Sequence, residues 1–391
     1  MRDLAATLDE LRRTGLFRQL RVIAGPQGAR VTLDGHDVLL LCSNDYLGLA
    51  GHPAVRAAAA EAAERWGAGA GASRLVSGNM ALHGTLEQEL AAFKRSERCL
   101  LFGSGYLANM GVLSALAGRG DVILSDALNH ASIVDGSRLS RAETIVYEHA
   151  DLDSLAAGLR RAAGRDIVIV TDAVFSMDGD LAPLEGIVEL ARHHGARVVV
   201  DEAHATGVVG PAGRGLVVEL GLERAVDVVV GTLGKALGSY GAFACCDAQL
   251  ASYLVNRART LIFSTALPPP VLGAALESLR IVREDPQLVA RLHANARTLR
   301  DGLRSVGFAI APGTMPVVPL TIGDPGAAMD LCEHALRRGV FAQAIRPPTV
   351  PEGTSRLRIV ASAAHEKADL RAAARAFAAA ARDAGLGPTA A

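Results

Sequence analysis

Residues 227–238 read Asp-Val-Val-Val-Gly-Thr-Leu-Gly-Lys-Ala-Leu-Gly, and this stretch sets the pattern of the central fold. Its three consecutive valines predict a strand buried on both faces, and the glycines that follow predict a turn. The turn carries Lys235 among small and apolar residues. The stretch therefore predicts a buried strand that presents a lysine at its carboxyl end.

The same pattern continues on both sides of this stretch from about residue 53 onward. Short apolar runs, typical of strands, are separated by Ala-rich stretches of helical character. This order indicates an α/β domain with a mostly parallel sheet that helices cover on both faces. The predicted strands are Cys99–Phe102, Val122–Leu124, Thr144–Tyr147, Ile167–Val170, Val198–Val200, Val226–Val230 and Gly241–Cys245.

Changes in the pattern predict three segments, as expected for 391 residues. Residues 1–50 contain an amphipathic helix and short strands, residues 51–280 the large α/β domain, and residues 281–391 a smaller α+β domain. The elements expected outside the large sheet are the strands Arg30–Leu33, Val38–Cys42, Val317–Leu320 and Leu357–Val360, the helices Val271–Glu284, Pro286–Val306 and Ala327–Arg338, and a last helix from about Glu366.

Composition excludes several classes of protein. The 40 basic and 41 acidic residues nearly cancel, so neither nucleic acid nor an anionic membrane surface is an expected partner. No apolar run is long enough for a membrane span or a signal peptide. The five cysteines are odd in number and lack C-x-x-C spacing, which argues against a disulfide framework or a zinc site and favours a reducing cytoplasm.

Only three of the 40 basic residues are lysines. Arginine stays protonated and cannot act as an amine nucleophile, so lysine chemistry has few candidates. Lys94 and Lys367 lie in charged segments and are expected to be solvated, whereas Lys235 is expected to be desolvated. Desolvation lowers a lysine pKa and frees the amine for Schiff-base chemistry, which makes Lys235 the candidate nucleophile.

The sequence around Lys235 is not a P-loop. That motif requires Gly-x-x-x-x-Gly-Lys-Ser/Thr. Here Val229 stands at the first glycine position and Ala236 at the hydroxyl position, so nucleotide binding of that kind is excluded.

A second candidate site is Val-Val-Val-Asp-Glu-Ala-His-Ala-Thr-Gly at residues 198–207, where Asp201 follows a predicted strand and His204 comes three residues later. The carboxyl ends of parallel strands line the ligand crevice, and an acid buried there needs a cationic or proton-donating partner. A capping aspartate beside a surface histidine is the alternative. No third ligand lies nearby, so no metal site is expected, and His193-His194 are expected in the last turn of a helix.

A third candidate is the glycine turn at Gly103-Ser-Gly105-Tyr106, between a predicted strand and a helix. Backbone amides at a helix start can hold a phosphate. The turn also fits the loose pattern Gly-x-Gly-x-x-Ala, with Asp126 about twenty residues on, which is the basis of a rival interpretation as a nicotinamide-dependent oxidoreductase.

Further candidates lie past other strand ends and near the chain termini. His130 could stack on a flat cofactor or be an ordinary core histidine, and Ser176 supplies a hydroxyl at the same edge of the sheet. Arg18 and Arg21 flank the end of the first helix. Arg356 and Arg358 alternate along a late strand and so share a face, where an arginine can bind a carboxylate through two hydrogen bonds or simply be solvated.

One ligand, pyridoxal 5′-phosphate (PLP), can use these groups together. Proteins bind it through a lysine Schiff base and an acid opposite its ring nitrogen. Its aldehyde would meet Lys235, its ring nitrogen Asp201, its phenolic oxygen His204, its flat face His130, and its phosphate Gly105 and Tyr106.

Four motifs carry a resemblance to a known family: Ser-Asn-Asp-Tyr-Leu-Gly-Leu (43–49), Phe-Ser-Met-Asp-Gly-Asp (175–180), Asp-Glu-Ala-His-Ala-Thr-Gly (201–207) and Gly-Thr-Leu-Gly-Lys (231–235). In this order they resemble the α-oxoamine synthases over nearly the whole chain. These are PLP enzymes of fold-type I, with an aminotransferase-like fold, that join an amino acid to an acyl-CoA with loss of carbon dioxide. Ala205 stands where many relatives carry glycine.

Within that family the chain is most similar to the branch that serves biotin synthesis, on the basis of Ser-Arg-Leu-Val-Ser-Gly-Asn (73–79) and Ala-Ile-Arg-Pro-Pro-Thr-Val-Pro (344–351). The resemblance implies an acyltransferase that condenses L-alanine with a pimeloyl group carried on CoA or on a carrier protein. The alternatives within the family use glycine: glycine C-acetyltransferase and 5-aminolevulinate synthase.

The resemblance also implies a role for each candidate residue. Lys235 would bind the cofactor and later remove and return the substrate's Cα proton, with His130, Asp201 and His204 as the other catalytic residues. Substrate would contact His130, Thr349, Arg358 and either Arg18 or Arg21. The cofactor would contact Gly105, Tyr106, His130, Ser176, Asp201, His204, Thr232 and Lys235, together with Ser264 and Thr265 of a neighbouring subunit, which implies a homodimer with shared active sites.

Overall fold

The computed structural model describes residues 3–387. Its strands are β1 (Ile23–Ala24), β2 (Arg30–Leu33), β3 (His36–Leu40), β4 (Arg98–Phe102), β5 (Val122–Asp126), β6 (Glu143–Tyr147), β7 (Ile167–Asp172), β8 (Arg197–Asp201), β9 (Val228–Thr232), β10 (Ala242–Cys246), β11 (Val317–Gly323), β12 (Val340–Phe341), β13 (Gln343–Ile345) and β14 (Ser355–Val360).

Helices separate most of these strands, as the sequence predicts. They are α1 (Leu4–Arg13), α2 (Pro53–Trp66), α3 (Ala81–Lys94), α4 (Gly105–Leu116), α5 (Ala131–Ser140), α6 (Leu152–Arg161), α7 (Leu184–His194), α8 (Leu216–Glu219), α9 (Ala248–Arg257), α10 (Arg259–Ile262), α11 (Pro269–Glu284), α12 (Gln287–Ser305), α13 (Pro325–Leu336) and α14 (Lys367–Asp383), with a short 3-10 turn at Pro211–Gly213. None of the helices within residues 3–387 has the length and apolar character needed to cross a membrane.

The described residues form two compact units. The large unit contains His52–Ser176 and Asp180–Val289. The small unit contains the chain through Gly51, the short segment Met177–Gly179 and the chain from Ala290 onward. The predicted N-terminal segment and most of the predicted C-terminal domain therefore share one unit.

The large unit is built on a seven-stranded sheet of order β4-β10-β9-β8-β7-β5-β6. The neighbours from β9 through β6 pair in parallel, whereas β10 runs antiparallel to both β9 and β4. Helices α4 and α5 contribute Val112, Leu113 and Ile133 to a core shared with Val199 and Val228 of the sheet. A mostly parallel sheet within an α/β unit is thus confirmed.

Several strands extend past the last residue of the apolar run that predicted them. β5, β7 and β8 each end on an aspartate, and β9 ends on Thr232 rather than Val230. Parallel pairing continues to Asp126 and Asp172, because the ladder uses backbone groups and does not require an apolar side chain. The polar ends of these strands are therefore rigid parts of the sheet rather than loops.

The small unit has its own core and two small sheets. One sheet has the order β1-β2-β3-β12, and the other β11-β14-β13. Leu41, Leu299, Leu331, Ile359 and Phe377 belong to one buried cluster that joins the sheets to the helices of this unit. The strand predicted at Val38–Cys42 begins earlier, at His36, because Asp34 and Gly35, both with positive φ, form a two-residue hairpin turn between β2 and β3.

Candidate active site

The carboxyl ends of the parallel strands place the predicted residues of the large unit along one edge of its sheet. Because β5, β7, β8 and β9 run in the same direction, the residues that follow them meet at that edge. His130 follows β5, Asp201 ends β8, His204 follows it, and Lys235 follows β9. Strand direction alone therefore gathers the four predicted catalytic residues.

Lys235 and His204 are in direct contact. The lysine Nζ lies 2.7 Å from the histidine Nε2, the distance of a hydrogen bond. Lys235 is half-buried and His204 is buried. The turn that holds Lys235 is fixed by hydrogen bonds from the Leu233 amide to the Gly241 carbonyl and from the Ser239 amide to the Leu233 carbonyl. The amine is thus held by a defined turn and oriented by an imidazole.

Asp201 is a buried carboxylate with two donors. Its Oδ1 accepts a hydrogen bond from the Ala203 amide at 2.7 Å, and its Oδ2 accepts one from Asn109 Nδ2 at 2.6 Å. Asn109 lies on α4 and is fully buried. These donors satisfy the carboxylate partly and orient it at the end of β8, where it can face a cationic group.

His130 caps the amino end of α5 and is exposed at the edge of the sheet. Its Nδ1 lies 2.7 Å from the Ser132 hydroxyl and also accepts the Ser132 amide at 3.2 Å. Desolvation by the surrounding protein lowers the pKa of His130; the nearby Asp201 opposes the shift, and Lys235 adds to it. At neutral pH the ring is therefore uncharged, as suits a residue that stacks on a flat group.

Asp172 is a further acid at this edge. It pairs in register with Asp201 on the neighbouring strand, and its Oδ2 accepts a hydrogen bond from the His130 amide at 2.8 Å. Burial and the charge of Asp201 raise the pKa of Asp172 well above its usual range. Of the two neighbouring acids, Asp172 is the one that holds a proton, and it anchors the start of α5.

The remaining predicted cofactor residues of the large unit lie at or near the same edge. Gly105 begins α4, whose first turn is capped by the Ser104 hydroxyl. The Tyr106 hydroxyl hydrogen-bonds the carboxylate of Asp135, and this bond raises the pKa of Tyr106. Thr232 donates its hydroxyl proton to the Gly241 carbonyl at 3.1 Å. Thr232 therefore fixes the turn that carries Lys235, and its predicted cofactor contact stays a prediction.

Ser176 lies in the turn after β7, whereas Ser264 and Thr265 follow α10. Thr265 is exposed and forms an isolated antiparallel bridge with Ser73. Ser264 and Thr265 line a small cavity with Arg74 and His83. Their predicted contact with the cofactor of a neighbouring subunit stays a prediction.

The expectation that Lys94 is solvated is wrong. It is 4% exposed, and its ammonium contacts the Glu202 carboxylate, the Thr206 hydroxyl at 2.8 Å and the Arg214 carbonyl at 2.7 Å. Lys94 is the last residue of α3 and faces inward, whereas the charged residues after it lie beyond the helix. Its amine is bound to a carboxylate, so Lys94 is not a nucleophile, and Lys367 is exposed as predicted.

Arg358 lies in the small unit, where β14 and the segment after β3 position it. Its guanidinium donates to the Asn44 side-chain carbonyl at 3.0 Å and to the Tyr46 hydroxyl at 3.2 Å. Both partners belong to the motif at residues 43–49. Arg356, on the same face, pairs with Asp178. Both arginines are buried rather than solvated, and of the two, Arg358 has neutral oxygens among its partners.

Arg18, Arg21 and Thr349 line a single cavity of about 520 Å³ within the small unit, together with Arg346. Arg21 forms ion pairs with Asp34 and Glu333. Arg18 is exposed and forms no ion pair within residues 3–387. The structure thus brings both candidate arginines to one cavity and distinguishes them by their charge partners.

Sequence reasoning missed Asn109, Ser132 and Asp172. Asp172 carries the same signal as Asp201, an acid directly after a run of buried β-branched residues. Asn109 stands in an otherwise apolar helical stretch, which is a signal that a polar residue there has a buried partner. Ser132 had no signal beyond its place at a helix start.

Comparisons with known proteins agree with this geometry. The family profile of Aminotransferase class I and II matches residues 36–377. The 8-amino-7-oxononanoate synthase of Geobacter sulfurreducens is 50% identical over 98% of this chain and 99% of its own.

Two solved structures share the fold over most of the chain. A structure of SPT with PLP has a TM-score of 0.93, 34% identity and coverage of 99% of this chain and 100% of its own. The 8-amino-7-oxononanoate synthase of Francisella tularensis has a TM-score of 0.76, 26% identity and coverage of 88% and 98%. The expected aminotransferase-like fold is confirmed. The chain therefore belongs to the aminotransferase class I and II family and, within it, to the 8-amino-7-oxononanoate synthases.

Proposed function

We propose that the protein is a PLP-dependent acyltransferase that condenses L-alanine with a pimeloyl thioester. The products are 8-amino-7-oxononanoate, a precursor in biotin synthesis, together with the free thiol and carbon dioxide. The observation that carries this proposal is the contact between Lys235 and His204 beside the buried Asp201. It occurs in a chain that is 50% identical to an 8-amino-7-oxononanoate synthase.

The residues at the sheet edge fit PLP. Lys235 offers an amine within a fixed turn, and the start of α4 offers backbone amides to a phosphate. Asp172 and Asp201 lie side by side on neighbouring strands, and their repulsion contributes to the raised pKa of Asp172. A cationic ring nitrogen beside Asp201 would offset that repulsion, because opposite charges stabilise each other where burial lowers the local dielectric constant.

The bound cofactor supplies an acceptor for the electron pair that remains when a bond to the substrate Cα breaks. Lys235 supplies the base, and its Nζ takes the Cα proton and returns it. His204 accepts a hydrogen bond from that amine at 2.7 Å and so directs it. Asp201, held by Asn109 and Ala203, would face the cofactor nitrogen and favour its protonated form. His130, uncharged and exposed, provides the stacking face.

Residues of the small unit would bind the substrates. Arg358 presents a buried guanidinium held by Asn44 and Tyr46, which suits the amino-acid carboxylate. The cavity lined by Arg18 and Thr349 would receive part of the acyl donor. Arg18 is the better candidate of the two arginines there, because Asp34 and Glu333 already neutralise Arg21.

The protein would act as a homodimer in which Ser264 and Thr265 of one subunit reach the phosphate bound to the other. Supporting this proposal, Thr265 is exposed and the apolar Phe263 beside it is 69% exposed, as expected of residues that a second copy covers. A cytoplasmic location stays a prediction.

Spectroscopy tests the cofactor and the lysine together. The purified protein is expected to be yellow and to lose its visible absorbance with borohydride. Lys235→Ala should abolish that absorbance and lower activity by at least about a thousandfold, because the base and the covalent anchor are both lost. Lys367→Ala, which changes an exposed lysine, is the control and should match the wild type. Colourless protein that binds NADH instead would support the oxidoreductase interpretation.

A turnover assay tests the substrates. L-Alanine with pimeloyl-CoA should give the highest kcat/KM, ahead of glycine with acetyl-CoA or succinyl-CoA. L-Serine with palmitoyl-CoA is a further arm, because a Sphingomonas wittichii serine palmitoyltransferase covers 98% of this chain with a TM-score of 0.93. Preference for any pair other than the first would contradict the proposed substrates, and pimeloyl-carrier protein in place of the CoA ester would identify the donor.

A further inference from the structure

We propose that Asn109 and Ser132 are positioning residues that fix the tautomer of His130, through a hydrogen-bond chain that starts at Asp201. The chain runs within the large unit from the acid at the end of β8 to the imidazole at the start of α5. This inference rests on the proposed function only in that His130 faces the cofactor and substrate. The tautomer itself is a property of the protein that can be measured without turnover.

The Asp201 carboxylate sets the direction of the hydrogen bonds in this chain, because an ionised carboxylate can only accept them. Its Oδ2 lies 2.6 Å from Asn109, so the amide nitrogen of Asn109 must face it, since the amide oxygen would be repelled. The same nitrogen lies 2.9 Å from the Ser132 hydroxyl. Each of its two protons therefore has one acceptor, and the Ser132 oxygen receives one of them.

Ser132 in turn determines which ring nitrogen of His130 accepts a hydrogen bond. Because its oxygen accepts from Asn109, its own proton is free to be donated to His130 Nδ1, 2.7 Å away. The Ser132 amide points at the same Nδ1 from 3.2 Å. Two donors converge on this nitrogen, so it carries the lone pair. In the neutral ring the proton must then lie on Nε2.

The chain is buried along its whole length up to the ring. Asn109 is fully buried and Ser132 is 1% exposed, so water does not compete for their hydrogen bonds. Asp172 holds the His130 amide at 2.8 Å and so fixes the backbone from which the ring projects. Desolvation, followed by the charge of Lys235, lowers the pKa of His130, which agrees with a neutral imidazole in this chain of hydrogen bonds.

The consequence for the reaction is a fixed donor at the exposed edge of the ring. With the proton on Nε2, His130 stays neutral while it stacks and can donate one hydrogen bond to a group of the bound substrate. Protonation at Nδ1 would instead place a second proton between His130 and Ser132. The charged acid and the stacking histidine are thereby coupled through two residues that need touch neither substrate nor cofactor.

Nitrogen-15 NMR of the PLP-loaded protein labelled at histidine tests the proposal. The signals of His130, identified by their loss in His130→Gln, should show a neutral ring with the proton on Nε2. In Ser132→Ala, the Nδ1 signal should shift and the pKa of His130 should rise by about 0.5 to 1 pH unit, because one donor to the neutral form is lost. Ser137→Ala changes an equally buried serine of the same helix and should leave the Nδ1 signal and the pKa of His130 unchanged.

A proton on Nδ1 in the wild type would overturn the proposal, as would an Nδ1 signal that does not respond to Ser132→Ala. If Ser132→Ala does not fold, the tautomer of His130 in the wild type and the effect of Asn109→Ala test the proposal instead. Asn109→Ala should raise the pKa of His130 by less than Ser132→Ala would. Visible absorbance reports cofactor binding in the same samples. A protein without PLP absorbance but with the expected tautomer would therefore contradict the proposed function and leave this inference standing.

Discussion

Asp172 and Asp201 end neighbouring parallel strands in register, so their carboxyl groups lie close together in a buried setting. Two like charges cannot both be ionised there without a large penalty. Burial and the charge of Asp201 raise the pKa of Asp172 well above its usual range, which favours a protonated Asp172. At the scale of the residue, the site depends on which member of such a pair is ionised.

A stability measurement tests this assignment. Folding raises the pKa of Asp172 above its ordinary value of 3.8, so the native protein binds more protons than the unfolded chain. Stability therefore falls as pH rises from that ordinary value toward the raised one. Asp172→Asn removes this dependence and keeps an acceptor for the His130 amide.

The free energy of unfolding of Asp172→Asn relative to the wild type should increase with pH, by at most about 1.4 kcal/mol for each pH unit. Denaturant titrations of the holoenzyme at several pH values measure it. Asp166→Asn, in an exposed residue just before the same strand, is the control. A difference that stays constant across pH would mean that Asp172 is ionised in the native protein.

The two cavity arginines also differ as single residues. Arg18→Ala should raise KM for the acyl thioester about tenfold or more, because a guanidinium without an ion pair is available to substrate. Arg21→Ala should change KM less and instead lower the melting temperature, because it breaks the contacts with Asp34 and Glu333. Initial rates and thermal melts of both variants check this. The reverse ranking would assign the contact to Arg21.

At the scale of the element, a buried ion pair fixes the segment that carries both Asp201 and His204. Glu202 lies between them, and its carboxylate contacts Lys94 of α3 and accepts from the Val217 amide at 2.7 Å. The backbone amide of Glu202 also bonds the Val230 carbonyl of β9. The segment is therefore anchored from several sides before any ligand binds.

Lys94→Met should lower the free energy of unfolding by about 3–5 kcal/mol, because it leaves the Glu202 carboxylate buried without its cation. The double variant Lys94→Met/Glu202→Gln should lose less than the sum of the two single losses. Denaturant titration measures the free energies, and visible absorbance measures retention of PLP. Lys367→Met is the exposed control, and strictly additive losses would show that the pair is not coupled.

At the scale of the whole molecule, the proposed sharing of active sites between two subunits makes a prediction that a monomer cannot meet. Lys235→Ala and the double variant Ser264→Ala/Thr265→Ala should each be nearly inactive alone. Refolded as an equal mixture, they should recover about a quarter of wild-type activity, because half of the dimers are mixed and each mixed dimer has one intact site.

Activity after mixing, with the dimer content followed by sedimentation, checks this expectation. The control is a mixture of Lys235→Ala with Lys235→Ala/Lys367→Ala, which has no intact site in any pairing. If the first mixture stays as inactive as the control, then Ser264 and Thr265 do not complete the site of another subunit.

The sequence alone predicted the strands of the large sheet and the chemistry at their ends. Buried parallel strands need β-branched apolar runs, and these are visible as Val198–Val200 or Ile167–Val170 in the chain. Since such strands share one direction, an acid, a histidine and a lysine at successive strand ends predict a common site. This rule brings Lys235, His204, Asp201 and His130 together, and the structure places them at one edge of the sheet.

Only the tertiary structure decided the partners of those groups. Lys94 reads as a surface lysine but pairs with a residue 108 positions away, and Asn109 reaches Asp201, at the end of β8, from helix α4. Hydrogen bonds and ion pairs depend on side-chain atoms that meet within about 3 Å, and the spacing of residues along the chain does not encode such long-range contacts. A sequence determines which groups lie at an edge of a sheet, whereas packing determines which side chains each of those groups contacts.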